Sequence, residues 1–488
     1  MKTPISMLLL LSRACMILFF GILLVSCEKD ASQNNDVAYL GGEIVNPKDD
    51  FVVLTKSDSK LVDTLKLDKR NRFIYKFDSL TSGLYLFKLH AADGFEHQMV
   101  LLEPNDSIML RLNTMEFDES LVFTGHGAKK NNYLIELFLE SEIDDKKVLG
   151  FSQLPPKEFE TKVDSIKESK LKKLKDFSVK NTVSKRFVDL VEANINYDYY
   201  LSKEVYPFVN YSTNERKIIE SLPEDFYAFR KDIDYNHSSI KDYFPYYSFL
   251  RHHFENLALT KHFKESNDSI FNRKCLNYNL TRLDYIDSLV KSDNIKNSLL
   301  MNTAIEFISD NKNVKDYDTF LKSFNSKCSN KDQKEYLTNT INALKGLKPG
   351  NTLPNIKVFD INGNEKRLGQ LMNHKPTVIY FWRQSYLRHF QESHEKVKEL
   401  EKKYPEINFV AINAYENHVP AWQEHLKLYK YDKTNEFLFE NPTEGKQSLA
   451  IYPINKVILV NKRGQIINPH TNMFSIHFEN QLLEALNP

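Results

Sequence analysis

The sequence predicts an α+β multidomain protein with an N-terminal β-sandwich, a helical middle region and a C-terminal α/β domain. Three observations carry this. Short β-branched and aromatic runs punctuated by Gly, Asn and Asp fill 37–126. Over 127–347 glycine is nearly absent and apolar residues recur at spacings of three and four, as in Phe187, Leu190, Val191 and Ile195. Over 348–488 strand-like runs alternate with helical ones. A chain of 488 residues is long enough for several domains, each with its own core.

At the N-terminus, Lys2 and Arg13 precede the apolar run Met16 to Val25, which breaks at Ser26-Cys27-Glu28. A positive start, a short apolar core and a small residue before a cleavage point describe a signal peptide over 1–26. The run is shorter than the roughly 20 apolar residues a membrane-spanning helix needs. Leu24-Val25-Ser26-Cys27 resembles the bacterial lipobox. That resemblance implies lipidation of Cys27 and anchoring in the bacterial cell envelope, on the periplasmic or surface side of the outer membrane, with 27–36 as a polar linker. Cys15 would leave with the signal. Cys275 and Cys328 then either pair as a disulfide or stay apart as small apolar side chains. Neither belongs to a Cys-x-x-Cys pair.

Sixty-six Lys and Arg against sixty-five Asp and Glu leave a formal charge of +1, which offers no electrostatic footprint for nucleic acid. The basic stretch Lys167 to Lys175 carries Ile166, Leu171, Leu174 and Phe177 near helical spacing, so it reads as the solvated face of an amphipathic helix.

The first strand signals are Phe51 to Leu54, Phe73 to Tyr75, Leu84 to Leu89 and Met99 to Leu102, at the interval of a β-sandwich. Gly42-Glu43-Ile44, Asn71-Arg72-Phe73, Leu102 to Ile108 and Phe123-Thr124-Gly125 resemble an N-terminal domain of unknown function that precedes thioredoxin-like domains in many envelope lipoproteins. No activity follows from that likeness. The helical region carries two aromatic clusters, one from Tyr197 to Tyr211 and one from Tyr243 to Phe254. Such clusters serve either as packing between helices or as a platform for sugars or peptides.

In the last domain, Ile356 to Phe359 and Asp360-Ile361-Asn362-Gly363-Asn364 predict a hairpin turned at Asn-Gly. A strand over Thr377 to Trp382, a helix to about Tyr404 and a strand over Asn408 to Asn413 follow. A helix around Trp422, a strand over Phe437 to Phe439 and a helical turn over Gly445 to Ala450 come next. Strands at Val457 to Val460 and Gln465 to Ile467 and a helix over Met473 to Leu486 close the chain. This order resembles the TlpA and ResA type of thioredoxin-like thiol-disulfide oxidoreductases. Tyr380-Phe381-Trp382 matches the strand end of that family, and Glu392 matches an acidic helix position. Tyr452-Pro453-Ile454 matches its cis-proline segment, and Val457 to Gly464 the strand and turn beyond. On the same match, Tyr386 falls on the first redox cysteine and His389 on the second.

The family's nucleophile is a thiolate stabilised at a helix N-terminus, and a second thiol one turn on resolves the mixed disulfide. A tyrosine and a histidine can do neither. Residues at i and i+3 share a helix face, so Tyr386 and His389 either fill the space of the thiols or form an acid/base pair. Arg388 and His394 lie nearby, but no histidine or carboxylate spacing typical of a metal site is present. No cofactor, metal or catalytic residue is assigned. Three functions remain open: a non-catalytic module binding an envelope protein or peptide, a relative with non-thiol chemistry or a separate thiol reductase as partner, and an accessory to glycan or nutrient uptake.

Overall fold

A computed structural model describes residues 36–486, apart from 59, 92–93, 211–214, 238–239, 241–242, 269–270, 312 and 416–418. The signal segment, Cys15, Cys27 and most of the linker lie outside the described residues, as does Tyr211. Among the described residues no helix is long and apolar enough to cross a membrane.

Eight strands form the N-terminal part: β1 (Ala38–Val45), β2 (Phe51–Lys56), β3 (Leu61–Lys66), β4 (Arg72–Phe77), β5 (Gly83–Ala91), β6 (Gly94–Leu102), β7 (Ser107–Asn113) and β8 (Val122–His126). They make two four-stranded sheets, ordered β4-β1-β7-β8 and β3-β2-β5-β6. Alternation along β7, with Ile108, Leu110 and Leu112 buried, points one face of each pleat into a shared core with Leu54, Phe87 and Val100. Gly42 sits where β1 and β7 approach closely, because a Cβ there would meet the Leu110 side chain at 2.6 Å. A four-residue turn, α1 (Phe117–Ser120), and the long α2 (Ala128–Phe151) close the sandwich. Asn131 accepts from Leu101 N–H at 2.8 Å and donates to its carbonyl at 3.1 Å. Asn132 does the same to Phe123, at 2.8 and 2.9 Å.

The helical region continues with α3 (Pro156–Lys180), α4 (Lys185–Val209), α5 (Glu215–Ser221), α6 (Phe244–Glu265), α7 (Leu276–Leu289), α8 (Asp293–Asp310), α9 (Tyr317–Lys327) and α10 (Lys331–Gly346). Tyr197, Tyr206, Tyr243, Tyr246, Phe249 and Phe254 are buried, so most of both aromatic clusters is interhelix packing, with Phe244 standing out into solvent. The basic stretch lies on α3. Lys172 and Lys175 are exposed, whereas Lys170 turns inward and pairs with Asp144 at 3.2 Å.

The last part holds a seven-stranded sheet ordered β10-β9-β13-β12-β11-β14-β15. Its strands are β9 (Lys357–Asp360), β10 (Glu365–Arg367), β11 (Thr377–Trp382), β12 (Asn408–Asn413), β13 (Glu436–Phe439), β14 (Val457–Val460) and β15 (Ile466–Thr471). β11, β12 and β13 are parallel, and β14 runs antiparallel to β11. The helices are α11 (Leu387–Lys403), α12 (Val419–Tyr429), α13 (Pro442–Ser448) and α14 (Phe478–Leu486). Every residue of β11, β12, β13 and β14 is buried, as expected of central strands covered on both faces. Two apolar clusters flank this sheet, one centred on Phe381 and Ile412 and the other on Trp382 and Phe409.

Candidate functional site

In parallel sheets the usable surface lies beyond the carboxyl ends of the strands, where loops lead into helices. β11 ends at Trp382, and the loop Arg383 to Tyr386 leads into α11. Tyr386 is the last non-helical residue, with φ −125° and ψ 64°, and no side chain caps the helix start. Because β14 runs antiparallel to β11, its preceding loop returns to this same end. That loop holds the cis peptide Tyr452-Pro453. The fold therefore brings Tyr386, His389 and Pro453 to one end of the sheet.

Tyr386 is 47% exposed and His389 only 8%, and the two rings stack at 5.7 Å with an interplanar angle of 14°. The Arg383 guanidinium lies 5.4 Å from the Tyr386 ring and 5.2 Å from the Tyr415 ring. Lys446 Nζ sits 4.1 Å from the Tyr415 ring. The result is a ladder in which the stacked rings of His389 and Tyr386 lead on to Arg383, Tyr415 and Lys446. Cations placed on aromatic faces gain about 0.5–2 kcal/mol each, more as water is excluded. Exposed Tyr336, Tyr452 and Phe474 extend the aromatic surface around it.

The electrostatics follow from burial. His389 is held below the ordinary imidazole range by burial, against the pull of Glu392, with His394 and Arg383 adding to the fall. Its ring is thus neutral near pH 7. Nε2 reaches Ser393 Oγ at 3.4 Å, while Nδ1 is buried and has no hydrogen-bond partner among the described residues. The phenol of Tyr386 makes no hydrogen bond to this ring, so the two do not form an acid/base couple in this geometry. Burial, then repulsion from Arg383, holds Lys446 below the usual lysine range. Arg383 Nε is likewise buried without a hydrogen-bond partner.

The other residues near the motif go elsewhere. Arg388 points outward and pairs with Glu392 at 2.8 Å. His394 lies buried beneath the helix, where its ring nitrogens meet the Phe390 carbonyl and Glu436 Oε1, both at 2.7 Å. Trp382 Nε1 donates to Glu436 Oε2 at 3.1 Å. His394 thus links the Phe390 carbonyl of its own helix to the Glu436 carboxyl of β13. This network braces β11, α11 and β13 under the site. Among the described residues no group of His, Cys, Asp and Glu could hold a metal ion. Cys275 and Cys328 are both free thiols. Cys328 is buried, and burial raises its pKa.

Sequence reasoning reached Tyr386, His389 and Pro453, but missed Arg383, Tyr415 and Lys446. Arg383 directly follows the matched Trp382 and was within reach. Tyr415 and Lys446 come from the turn after β12 and from α13, and only the sheet order brings them in.

No family model matches the chain, and no curated protein matches it. Among solved structures it is similar to a candidate thiol-disulfide oxidoreductase from Bacteroides vulgatus, at 23% identity over 28% of this chain and 97% of that one, with a TM-score of 0.26. A thiol:disulfide interchange protein from Bacteroides sp. is 16% identical over 29% of this chain and 93% of its own, with a TM-score of 0.25. The thioredoxin domain of a thiol-disulfide oxidoreductase from Bacteroides vulgatus is 20% identical over 28% and 97%, with a TM-score of 0.23.

Proposed function

We propose that this chain is a lipid-anchored protein of the bacterial cell envelope whose C-terminal domain binds a protein or peptide without thiol–disulfide exchange at its sheet-end groove. The observation that carries the reading is the occupant of the two motif positions. Tyr386 and His389 stack there, and neither side chain can attack a disulfide or resolve one. What remains is a surface of exposed rings interleaved with Arg383 and Lys446. Aromatic and arginine side chains dominate binding energetics at protein interfaces, because they bury much area at small entropic cost. The two cations favour a partner segment in which an acidic residue lies beside an aromatic one. The anchor rests on the lipobox-like residues ending at Cys27.

The test has two arms, both on the full chain. With dithiothreitol as reductant, insulin disulfides should be reduced at the uncatalysed rate. A rate enhancement abolished by His389→Ala would overturn the reading. On an array of acidic–aromatic peptides, binding should weaken at least tenfold in Arg383→Ala with Lys446→Ala. Separately, Cys27→Ala should move the protein out of the detergent phase in which lipoproteins partition.

A further inference from the structure

A second recess, unrelated to the groove, opens between the β-sandwich and the helical region, with a volume of about 470 Å³. Leu84, Leu86 and Met99 of β5 and β6 form one wall, and Leu134, Leu137 and Leu190 of α2 and α4 form the other. Carboxylates of Glu96, Asp118, Glu142, Asp145 and Asp198 line it as well, and among the described residues no lysine or arginine does.

The two helices explain how these groups are sorted. Tyr133 packs on Phe187 at 5.6 Å, and Ser141 Oγ lies 3.2 Å from Asp198. Contacts thus advance together along both chains, so α2 and α4 run side by side in the same direction. On α2 the lining residues pass from Leu134 through Phe138 to Glu142 and Asp145. On α4 they pass from Leu190 through Asn194 to Asp198. Steps of three and four keep each series on one helix face. The leucines therefore share one end of the recess and the acids the other.

Lys170 approaches the acidic end from behind, but it is held at 3.2 Å by Asp144 and donates to Ser141 Oγ at 3.0 Å. His97 is the basic group on the recess lining itself. An independent observation points the same way. Asn194, 6% exposed and between the two ends, presents a buried Oδ1 that accepts no hydrogen bond among the described residues. A buried acceptor without a donor is costly, and in native proteins it calls for one.

We infer that this recess binds an organic cation: an ammonium group on an apolar body, the body between the leucines and the ammonium donating to Asn194 Oδ1 and Asp198. An ammonium carries three donors and no acceptor, which suits a site made of acceptors. The volume is that of a small-molecule pocket. Burial and the neighbouring carboxylates hold Asp118 at about 6 and Asp198 at about 7, strain that a bound cation relieves. A free amine and a lysine side chain present the same chemistry.

Isothermal titration of the full chain in non-ionic detergent at pH 8 tests the site, with 4-phenylbutylamine as the cation and 4-phenylbutanol as its neutral counterpart. The amine should bind at least tenfold more tightly than the alcohol. Asp198→Asn and Asn194→Leu should each weaken the amine tenfold or more, and Asp198→Asn should leave the alcohol unchanged. Asp198→Asn neutralises a carboxylate that burial already drives towards neutrality, so it keeps the test open even where Asn194→Leu does not fold. Equal binding of amine and alcohol, no binding of either, or amine binding indifferent to Asp198→Asn overturns the inference. N-acetyl-lysine N-methylamide forms a further arm. Binding as tight as the amine assigns the cation to a lysine of a partner chain, weaker binding assigns a free amine, and both uphold the site.

Discussion

The sheet-end groove and the recess beside the sandwich are built on opposite principles. In the groove, basic groups lie on aromatic faces, His389 is neutral, and the surface is open to solvent. In the recess, carboxylates stand at the end of an apolar slot. The groove is made by loops that leave the ends of adjoining strands, and a tightly braced core lies beneath it. The recess is made by helix faces and a sheet face from separate stretches of chain, each contributing part of a gradient. The contrast shows two ways in which one chain makes selectivity: by placing loops over a fixed sheet, and by aligning patterned helices. The side chains that line the recess also lie between the sandwich and the helices.

The sharpest break of this contrast is all-or-none. Tyr386→Cys with His389→Cys should give an intramolecular disulfide under mild oxidation, read as a loss of two hydrogens in the peptide from Trp382 to Lys396. Loss of the Tyr386 ring should lower stability by up to a few kcal/mol. A folded double variant that never bridges would show that the two positions do not face each other, and the match to the redox motif would fall.

Next in size is the frame under the groove. Glu436→Ala strands both Trp382 Nε1 and the His394 ring in a buried site, and should cost about 3–5 kcal/mol in chemical denaturation. The third effect belongs to the recess. With Asp118 at about 6 and Asp198 at about 7 against 3.8 ordinarily, the folded state keeps protons that the unfolded chain releases. Their contribution to stability is therefore fully present below about pH 4 and lost as pH rises through 6 and 7. Relative to the unaltered chain, Asp198→Asn should flatten this decline by about 2 kcal/mol, allowing for screening at the open side. Lys170, Asp145 and Asp144 face the same carboxylate and set the remainder. The smallest effect is in the groove, where a tenfold loss of acidic peptide in Arg383→Ala with Lys446→Ala corresponds to about 1.4 kcal/mol.

What could be read in advance divides along the same line. β11, β12 and β14 have the bounds read from the sequence, because each is built on a continuous apolar run buried on both faces, with buried Thr377 opening β11 and buried Asn408 and Asn413 at the two ends of β12. The closing helix was expected from Met473 and begins at Phe478. Asn472 accepts from Phe474 N–H, and Ser475 from His477 N–H, and such local bonds compete with helix formation. The helical turn expected over Gly445 to Ala450 begins earlier, at Pro442, because Asn441 caps the N–H groups of Thr443 and Glu444. β3, reading Leu-Val-Asp-Thr-Leu-Lys, is an edge strand with only Leu65 buried, too polar to signal itself. Within the groove, Tyr386 and His389 were legible because one contiguous motif holds both. The recess was not, since its apolar-to-acidic gradients mean nothing until two distant helices are known to run in parallel.

The paired asparagines at the start of α2 have a consequence of a different kind. β6 and β8 each form one border of their sheets, with β3 and β4 at the other borders, and an unpaired outer strand is a template on which another molecule's strand can add. Asn131 occupies the outward backbone groups of Leu101 in one and Asn132 those of Phe123 in the other, so one turn of helix interrupts both borders as templates. The sandwich cut off after His126 would leave these two borders uncovered as well as β3 and β4, and should aggregate. A soluble N-terminal fragment should therefore include α2, whose two adjacent amides keep a second copy of the chain from zipping onto these two borders.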